Sequence, residues 1–306
     1  MRSLPLFVRL AVFFSVFTAV FSCQKTSEFN DTTTLQSTAD LSSAAKKQTT
    51  VTLARPDHII FVWFENKGYP QVVGSSSAPY INSLIKQGTL FTNAYALTHP
   101  SYPNYIAFFS GSTQGVTTDN CIDGTPFSSQ NLYTALKTAG KSFAWYSEGL
   151  PAIGSTACTS GYYVEKHNPV TIFSNVSTSA NKPFSSFPTD YTKLENVVCI
   201  SPNLIDDMHD GSISQGDTWL KNKLSGLANW CLTHNSIFVV YWDEDNKSYG
   251  NRIPVVAVGQ HVKANYQIST SYNHYSWAKT ICSMFNSSTS WSSNVSAKST
   301  ITGCWK

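Results

Sequence analysis

The sequence predicts one α/β domain whose mainly parallel central sheet carries helices on both faces. Three observations lead there. Continuous apolar runs at 58–64 and 237–242 lack the alternation of a half-exposed strand and read as strands buried on both sides. Runs of this kind alternate with helical stretches from about residue 57 to 285, the pattern left by strands joined through crossover helices. Apolar residues form 42% of the 306, ample for one large core, and no repeat or second core is visible.

The elements follow in order. The strand at 58–64 ends in Glu65-Asn66. A helix over 79–86 opens on Pro79, whose fixed φ suits a first turn, and is closed by Gly88. A strand near 89–95 comes next. Ser101 then stands two residues before Pro103, which can open a helix, and the apolar run 105–109 with its stop at Gly111 completes that helix. A helix over 131–138, ended by Gly140, leads to a strand at 142–147. After an irregular Ser-, Asn- and Pro-rich region come a strand at 196–200, a helix at 217–232 and strands at 236–242 and 253–258. A helix at 275–285 finishes the unit.

Residues 1–22 read as an export signal, because Arg2 and Arg9 precede an apolar run, 10–21, that is too short for a membrane span. Ser22 followed by Cys23 resembles a bacterial lipobox, so Cys23 is expected to be the lipidated N-terminus of an exported, membrane-anchored lipoprotein. Ordinary cleavage nearby is the alternative. Residues 23–54, rich in Ser, Thr, Ala, Gln and Lys, then form a flexible tether, and 55–306 form the folded domain. A net charge of +3 without a basic run argues against nucleic acid as a partner, and a monomer is expected.

Setting Cys23 aside leaves an even number of cysteines, which in an exported protein suggests disulfides. Pairing sequence neighbours is the simplest arrangement: Cys121–Cys158, Cys199–Cys231 and Cys282–Cys304. Zinc ligation is the rival, but no pair has Cys-x-x-Cys spacing.

Chemistry is suggested by residues at element ends. The helix start puts the Ser101 hydroxyl beside unpaired backbone N–H groups at the positive end of the helix dipole, an anion site. An N-cap serine on an ordinary helix is the plainer reading. Acidic groups recur where strands end: Glu65-Asn66, then Asp206-Asp207-Met208-His209-Asp210, then Asp243-Glu244-Asp245, with Asn273-His274-Tyr275 near the close. One such cluster is usually a solvated loop. Three of them, in a chain only 13% charged, point to a ligand site at the carboxyl edge of the sheet.

Taken in order, Phe64-Glu65-Asn66-Lys67-Gly68-Tyr69, Ala78-Pro79-Tyr80-Ile81-Asn82, Thr98 through Gly111, Ser201-Pro202-Asn203 through Asp210, Trp242-Asp243-Glu244 and Asn273-His274-Tyr275 resemble a family. It is the bacterial phosphoesterase family of acid phosphatases and non-specific phospholipases C, within the alkaline-phosphatase-like superfamily of metal-dependent hydrolases. The resemblance implies that Ser101 is a nucleophile that becomes transiently phosphorylated. It implies that Glu65, Ser101, Asp243 and Glu244 surround one divalent metal, with Asn66 as a further ligand, and that Asp207, His209 and His274 hold another. One or two ions are expected, and zinc, manganese, calcium and magnesium are not distinguished. Asn104, Asn120 and Arg252 are the expected substrate-binding residues. Arg252 is a departure, since many relatives carry histidine there and an arginine cannot ligate a metal as imidazole does. His58, His99, His167, His234 and His261 are read as structural, and Asp206 and Asp210 as loop residues.

The implied activity is hydrolysis of a small phosphate ester, foremost a monoester. Phospholipase C-like cleavage of diesters is the nearest alternative, and a surface binding protein that has lost turnover is another. A sulfatase is disfavoured, since no Cys/Ser-x-Pro-x-Arg segment is present.

Overall fold

Residues 59–64 lose all contact with solvent in the computed structural model, which describes residues 53–306. The export signal, Cys23 and nearly all of the tether lie outside the described residues. In chain order the elements are β1 (His58–Phe64), α1 (Tyr69–Val72), α2 (Pro79–Gln87), β2 (Thr89–Phe91), β3 (Ala94–Tyr95), α3 (Ser101–Ser110), α4 (Leu132–Thr138), β4 (Phe143–Ser147), β5 (Thr159–Ser160), β6 (Tyr163–Val164), β7 (Asn181–Pro183), β8 (Val197–Ser201), α5 (Ile213–Cys231), β9 (Ser236–Trp242), β10 (Val255–Gly259), β11 (Tyr266–Ile268), β12 (Tyr272–Asn273), α6 (His274–Met284) and α7 (Ser293–Ser296).

The main sheet has the order β11-β2-β10-β9-β1-β8-β4-β7, so the fully apolar strands β1, β9 and β8 take its centre. Pairing is parallel except on both sides of β10. That exception has a simple cause: the 243–254 connection from β9 contains no helix to carry the chain across, so β10 returns beside its predecessor in the opposite direction.

Helices cover both faces. Phe61 and Trp63 of β1 turn towards α3 and α6, with Phe61 edge-on to Phe108 and Trp277, and Trp63 edge-on to Phe108. On the other side α2 and α5 pack together against β9 and β10. α2 has no side-chain cap of its own; Asp217 of α5 accepts the N–H groups of Tyr80 and Ile81 at 3.0 and 2.8 Å instead.

Two boundaries differ most from the sequence expectation. The 89–95 strand divides at Thr92-Asn93 into β2 and β3, which join different sheets. α5 begins at Ile213, because Ser212 and Gln215 form a reciprocal capping box upstream of the expected start. The irregular stretch before β8 is built from short 3-10 turns that deliver residues to the site.

Of the three expected bridges, Cys121–Cys158 is formed, with Cα atoms 5.6 Å apart. The other two are not: Cys199, Cys231, Cys282 and Cys304 are free and buried. Each thiol packs as a small apolar group. Cys199 lies inside the central strand β8 between Phe61 and Trp145, and Cys282 faces Trp291 and Ser287. Burial raises all four thiols, Cys282 to about 11 and Cys231 and Cys304 to about 12.

Candidate active site

The register of β1 on β9 pairs Phe64 with Trp242, so Glu65 and Asp243 leave the sheet side by side. The Asp243 N–H donates to the Phe64 carbonyl at 3.2 Å, and the Glu65 N–H donates to the Asp207 carbonyl at 2.8 Å. Three acidic side chains from distant segments are thereby held at one edge. Asn66, at φ 51°, turns the chain away in the left-handed region that asparagine tolerates, and its N–H donates to Asp243 Oδ1 at 3.3 Å. The 203–210 loop is backed by α5, where Gly216 has no side chain because a Cβ there would meet Met208 at 2.5 Å.

Ser101 is the first residue of α3, a helix buried along its whole length. Its N-cap is Pro100, which offers no side-chain hydrogen bond. The Ser101 hydroxyl donates towards Glu65 Oε2 at 2.9 Å, with Glu244 Oε1 at 3.3 Å. Glu244 is fixed in turn by His99, whose Nδ1 lies 2.7 Å from Oε2 while its Nε2 lies 3.2 Å from Asp245 Oδ1. Asp245 also accepts the N–H groups of Lys247, Tyr249 and Asn251, which shapes the rim loop. A cavity of about 230 Å³ opens here, lined by Ser101, Asp119, His209, Glu244, Asp245 and Lys247 among others. Larger clefts, about 350 Å³ on α5 and about 510 Å³ beside Lys137 and Lys182, hold no comparable cluster of acidic groups.

Below the cavity, Glu65, His167 and Asp207 bring ligand atoms within 4.8 Å of one another, all buried. His167 Nδ1 stands 3.0 Å from Asp207 Oδ2 and Nε2 stands 3.4 Å from Glu65 Oε1. These approaches are close without being hydrogen bonds: both ring nitrogens, Asp207 Oδ2 and Asp243 Oδ2 are buried with no hydrogen-bond partner. Orphaned buried polar atoms facing one another carry a large desolvation cost unless something between them compensates it.

The electrostatics agree. Burial, then Asp243 and Asp207, hold Glu65 well above the usual carboxylate range. Burial raises Asp207 against the pull of the His209 N–H. Burial takes Asp243 to about 7, and burial with the Asp243 charge takes Glu244 to about 9. Burial, then Lys166 and His209, keep His167 neutral by pushing it well below the usual imidazole value. Four crowded carboxylates and a neutral imidazole are a donor set that suits a divalent cation, so the residues fit the metal requirement. The floor is aromatic: the Tyr105 hydroxyl donates to Glu65 Oε1, and its ring stacks on His167 at 5.2 Å.

The expected residues Glu65, Asn66, Ser101, Asp243 and Glu244 therefore meet around one point, with Asp207 adjoining. Others stand differently. His274 is buried, but its Nε2 donates to the Asp243 carbonyl at 2.7 Å and its Nδ1 accepts from the Tyr241 hydroxyl at 2.6 Å. Neither nitrogen is left for a metal, so His274 positions Asp243 rather than joining it as a ligand. His209 lines the cavity, with Nδ1 2.8 Å from Asp210, but it is His167 that faces Asp207. Asn104 spends its side chain on the loop before α3, accepting from Leu97 and Thr98 N–H and donating to the Thr98 and Pro100 carbonyls. Arg252 lies outside the cavity lining, because its guanidinium donates to the Thr92 carbonyl and stacks 3.9 Å over the Tyr69 ring. Asn120 is exposed, and its neighbour Asp119 lines the cavity instead.

Sequence reasoning missed His99, Lys166 and His167. The available signal was Glu165-Lys166-His167, three titratable residues together in a stretch otherwise poor in charge. Position is supplied from below, where Trp145 Nε1 donates to Ser201 and the Ser201 hydroxyl donates to the His167 carbonyl.

Comparison with known proteins identifies the family. A family model described as the phosphoesterase family matches residues 62–288. A phosphatidylinositol-3-phosphatase of Mycobacterium tuberculosis is 45% identical over 227 residues, covering 73% of this chain and 75% of that protein. A phosphate-repressible acid phosphatase of Penicillium chrysogenum is 31% identical over 238 residues, covering 72% of this chain and 57% of its own length. Thus the chain spans little more than half of that fungal relative. Among solved structures, a protein in the alkaline phosphatase superfamily from Vibrio parahaemolyticus superposes with a TM-score of 0.53 at 13% identity, covering 77% of this chain and 67% of the other, which bears on the fold alone.

Proposed function

The chain belongs to the phosphoesterase family, and on that premise we propose that it hydrolyses phosphate monoesters through a phosphoserine formed on Ser101. The observation that carries this reading is the Ser101 hydroxyl set between Glu65 and Glu244 at the start of a buried helix. The two named relatives are both phosphatases, which favours monoesters over the diesters of a phospholipase C.

Glu65 and Glu244 flank Ser101 Oγ, and Glu65 Oε2, which accepts the hydroxyl at 2.9 Å, takes its proton as Oγ bonds to phosphorus. The bond from phosphorus to the ester oxygen then breaks, and the leaving oxygen takes that proton from the carboxylate. A water then displaces the phosphoryl group from Ser101, its hydroxyl going to phosphorus and its proton to Oγ, which releases phosphate and restores the serine. The positive end of the α3 dipole favours the charge that builds up on the phosphoryl oxygens; of the N–H groups there, that of Tyr102 is held by Asp119 Oδ1 at 3.0 Å and Pro103 has none. One or two divalent cations would fit the donors Glu65, Asp243, Glu244 and Asn66 on the Ser101 side, and Asp207 and His167 beyond, while His209 has Nδ1 beside Asp210 and Nε2 beside Lys166. Bound there, a cation supplies positive charge against the phosphoryl oxygens. Tyr105, His274 and His99 hold Glu65, Asp243 and Glu244 in place.

The protein is further proposed to act outside the cytoplasm, as a monomer held to a membrane through Cys23 with residues 23–54 as tether and 55–306 as catalytic domain. The Cys121–Cys158 disulfide supports export, and the apolar run ending at Cys23 supports the anchor.

The test is a substrate panel of monoester, diester and phospholipid, run on wild-type and Ser101→Ala protein with metal added back after chelation. Monoester turnover lost in Ser101→Ala is the expected result. Diester cleavage without monoester cleavage, or turnover that survives Ser101→Ala, would overturn the assignment.

A further inference from the structure

Of the three side chains expected to grip the substrate phosphate, Asn104 and Arg252 are committed elsewhere, and Asn120 is exposed and outside the cavity lining. A different cation stands closer. Lys166 Nζ lies 2.8 Å from Asp119 Oδ2 and 3.3 Å from His209 Nε2, and both partners line the Ser101 cavity. Asp119 Oδ1 meanwhile accepts the N–H of Tyr102, the residue after Ser101, at 3.0 Å. One oxygen of the Asp119 carboxylate therefore occupies the second N–H of the nucleophile's helix, and its other oxygen holds an ammonium. A phosphoryl group reaching Ser101 needs the same two donors.

We propose that Lys166 is the residue that recognises the phosphoryl group, and that the Cys121–Cys158 bridge positions it through Asp119. This rests on the phosphoesterase reading of the site. Asp119 sits on the 112–131 loop and Lys166 on the turn at 165–167, and three links join these segments within a few residues. The first is the disulfide. In the second, the Ile122 N–H donates to Glu165 Oε2 at 3.2 Å. The third is the Lys166–Asp119 pair itself. The Glu165 N–H donates to the Cys158 carbonyl at 2.9 Å, so the far half of the bridge is tied directly to the residue before Lys166. Breaking the bridge removes the one covalent link and leaves hydrogen bonds and the ion pair to hold the 112–131 loop to the segment that carries Lys166 and His167. Cys121 is exposed and Cys158 half-buried, so a dithiol reductant has access. Two electrons and two protons pass to the bridge, giving two thiols, and the reductant closes to its own disulfide.

A charged donor at the phosphate is expected to be worth about tenfold in affinity or more. The test measures inorganic phosphate binding by calorimetry, on the full chain loaded with divalent metal. It compares the oxidised protein, the reduced protein, the Cys121→Ser/Cys158→Ser variant and Lys166→Gln. Phosphate should bind about tenfold more weakly after reduction, in the double serine variant and in Lys166→Gln, with Lys166→Arg restoring most of the affinity. Lys166→Gln should add little once the bridge is gone, because both changes act on one contact. In turnover the loss should appear in KM more than in kcat. Unchanged phosphate affinity in bridged Lys166→Gln would overturn the proposal without any cysteine variant having to fold. Effects of bridge and lysine that simply add would overturn the link between them. Phosphate binding that behaves as expected in a protein without esterase turnover would sink the enzymatic reading and leave this one standing.

Discussion

His167 Nδ1 lies 3.0 Å from Asp207 Oδ2, with both atoms buried and neither in a hydrogen bond. The two reach each other from separate segments, a 3-10 turn and the loop after β8, so their approach is a property of the fold rather than of either segment. An imidazole kept neutral and a carboxylate kept from water in this way are suited to share a cation.

His167→Ala should accordingly lose bound metal, measured by elemental analysis after gel filtration. His274→Ala should retain it. The cost of that second change should fall on stability, by about 1–3 kcal/mol, because the Asp243 carbonyl and the Tyr241 hydroxyl lose their partner. Full metal content in His167→Ala with none in His274→Ala would reverse the assignment.

Ser101→Ala should reduce kcat for a phosphate monoester by about 10⁴-fold or more while leaving the melting temperature nearly unchanged. Acid quenching of wild-type protein with substrate should place a phosphoryl group on the peptide that contains Ser101. A near wild-type rate in the alanine variant would reduce Ser101 to the first residue of a helix.

Stability of the chelated protein should fall as pH rises. Asp243 and Glu244 have folded-state values of about 7 and about 9, above the ordinary value of about 4 that holds in the unfolded chain. The folded chain thus binds more protons across this window, and each retained proton costs about 1.4 kcal/mol of stability per pH unit gained. The contribution is complete below pH of about 4 and is lost progressively towards 9. Divalent metal favours the ionised carboxylates, so the rise in melting temperature that it produces should grow over the same range. A chelated protein that became more stable from pH 5 to 9 would refute this reading.

Thiol labelling of the denatured, unreduced domain should modify Cys199, Cys231, Cys282 and Cys304 and spare Cys121 and Cys158. In the native protein all four should be inert, since burial both blocks access and disfavours the thiolate. Finding fewer than four reactive cysteines after denaturation would show a further bridge.

What the sequence made legible were features with a period or a punctuation mark. β1 and β9 are unbroken apolar runs, and α3 lies between prolines and Gly111, so the residue order alone locates Glu65, Ser101 and Asp243 at element ends. The direction of β10 depends on what the 243–254 connection contains, which apolar patterning does not encode. His167 rides on a turn without periodicity, and its neighbours Glu65 and Asp207 are remote in the chain. The family resemblance of Asn273-His274-Tyr275 makes His274 an expected ligand, while the Tyr241 hydroxyl that occupies it belongs to β9, remote in the chain. Which cysteines pair is a matter of Cα proximity, and sequence order predicted it for one pair of three.

All ten residues of α3 are buried, including Ser101 and Asn104. The segment that presents the nucleophile thus contains no position at which random mutagenesis could act without disturbing the core. Changes in substrate range, whether selected in a laboratory or drifting between lineages, must come from elsewhere. The 112–131 loop, the turns before β8 and the rim held by Asp245 are the tolerant parts, and each already contributes a residue to the cavity or its border. A library confined to those loops would explore new substrates on an unaltered chemical centre.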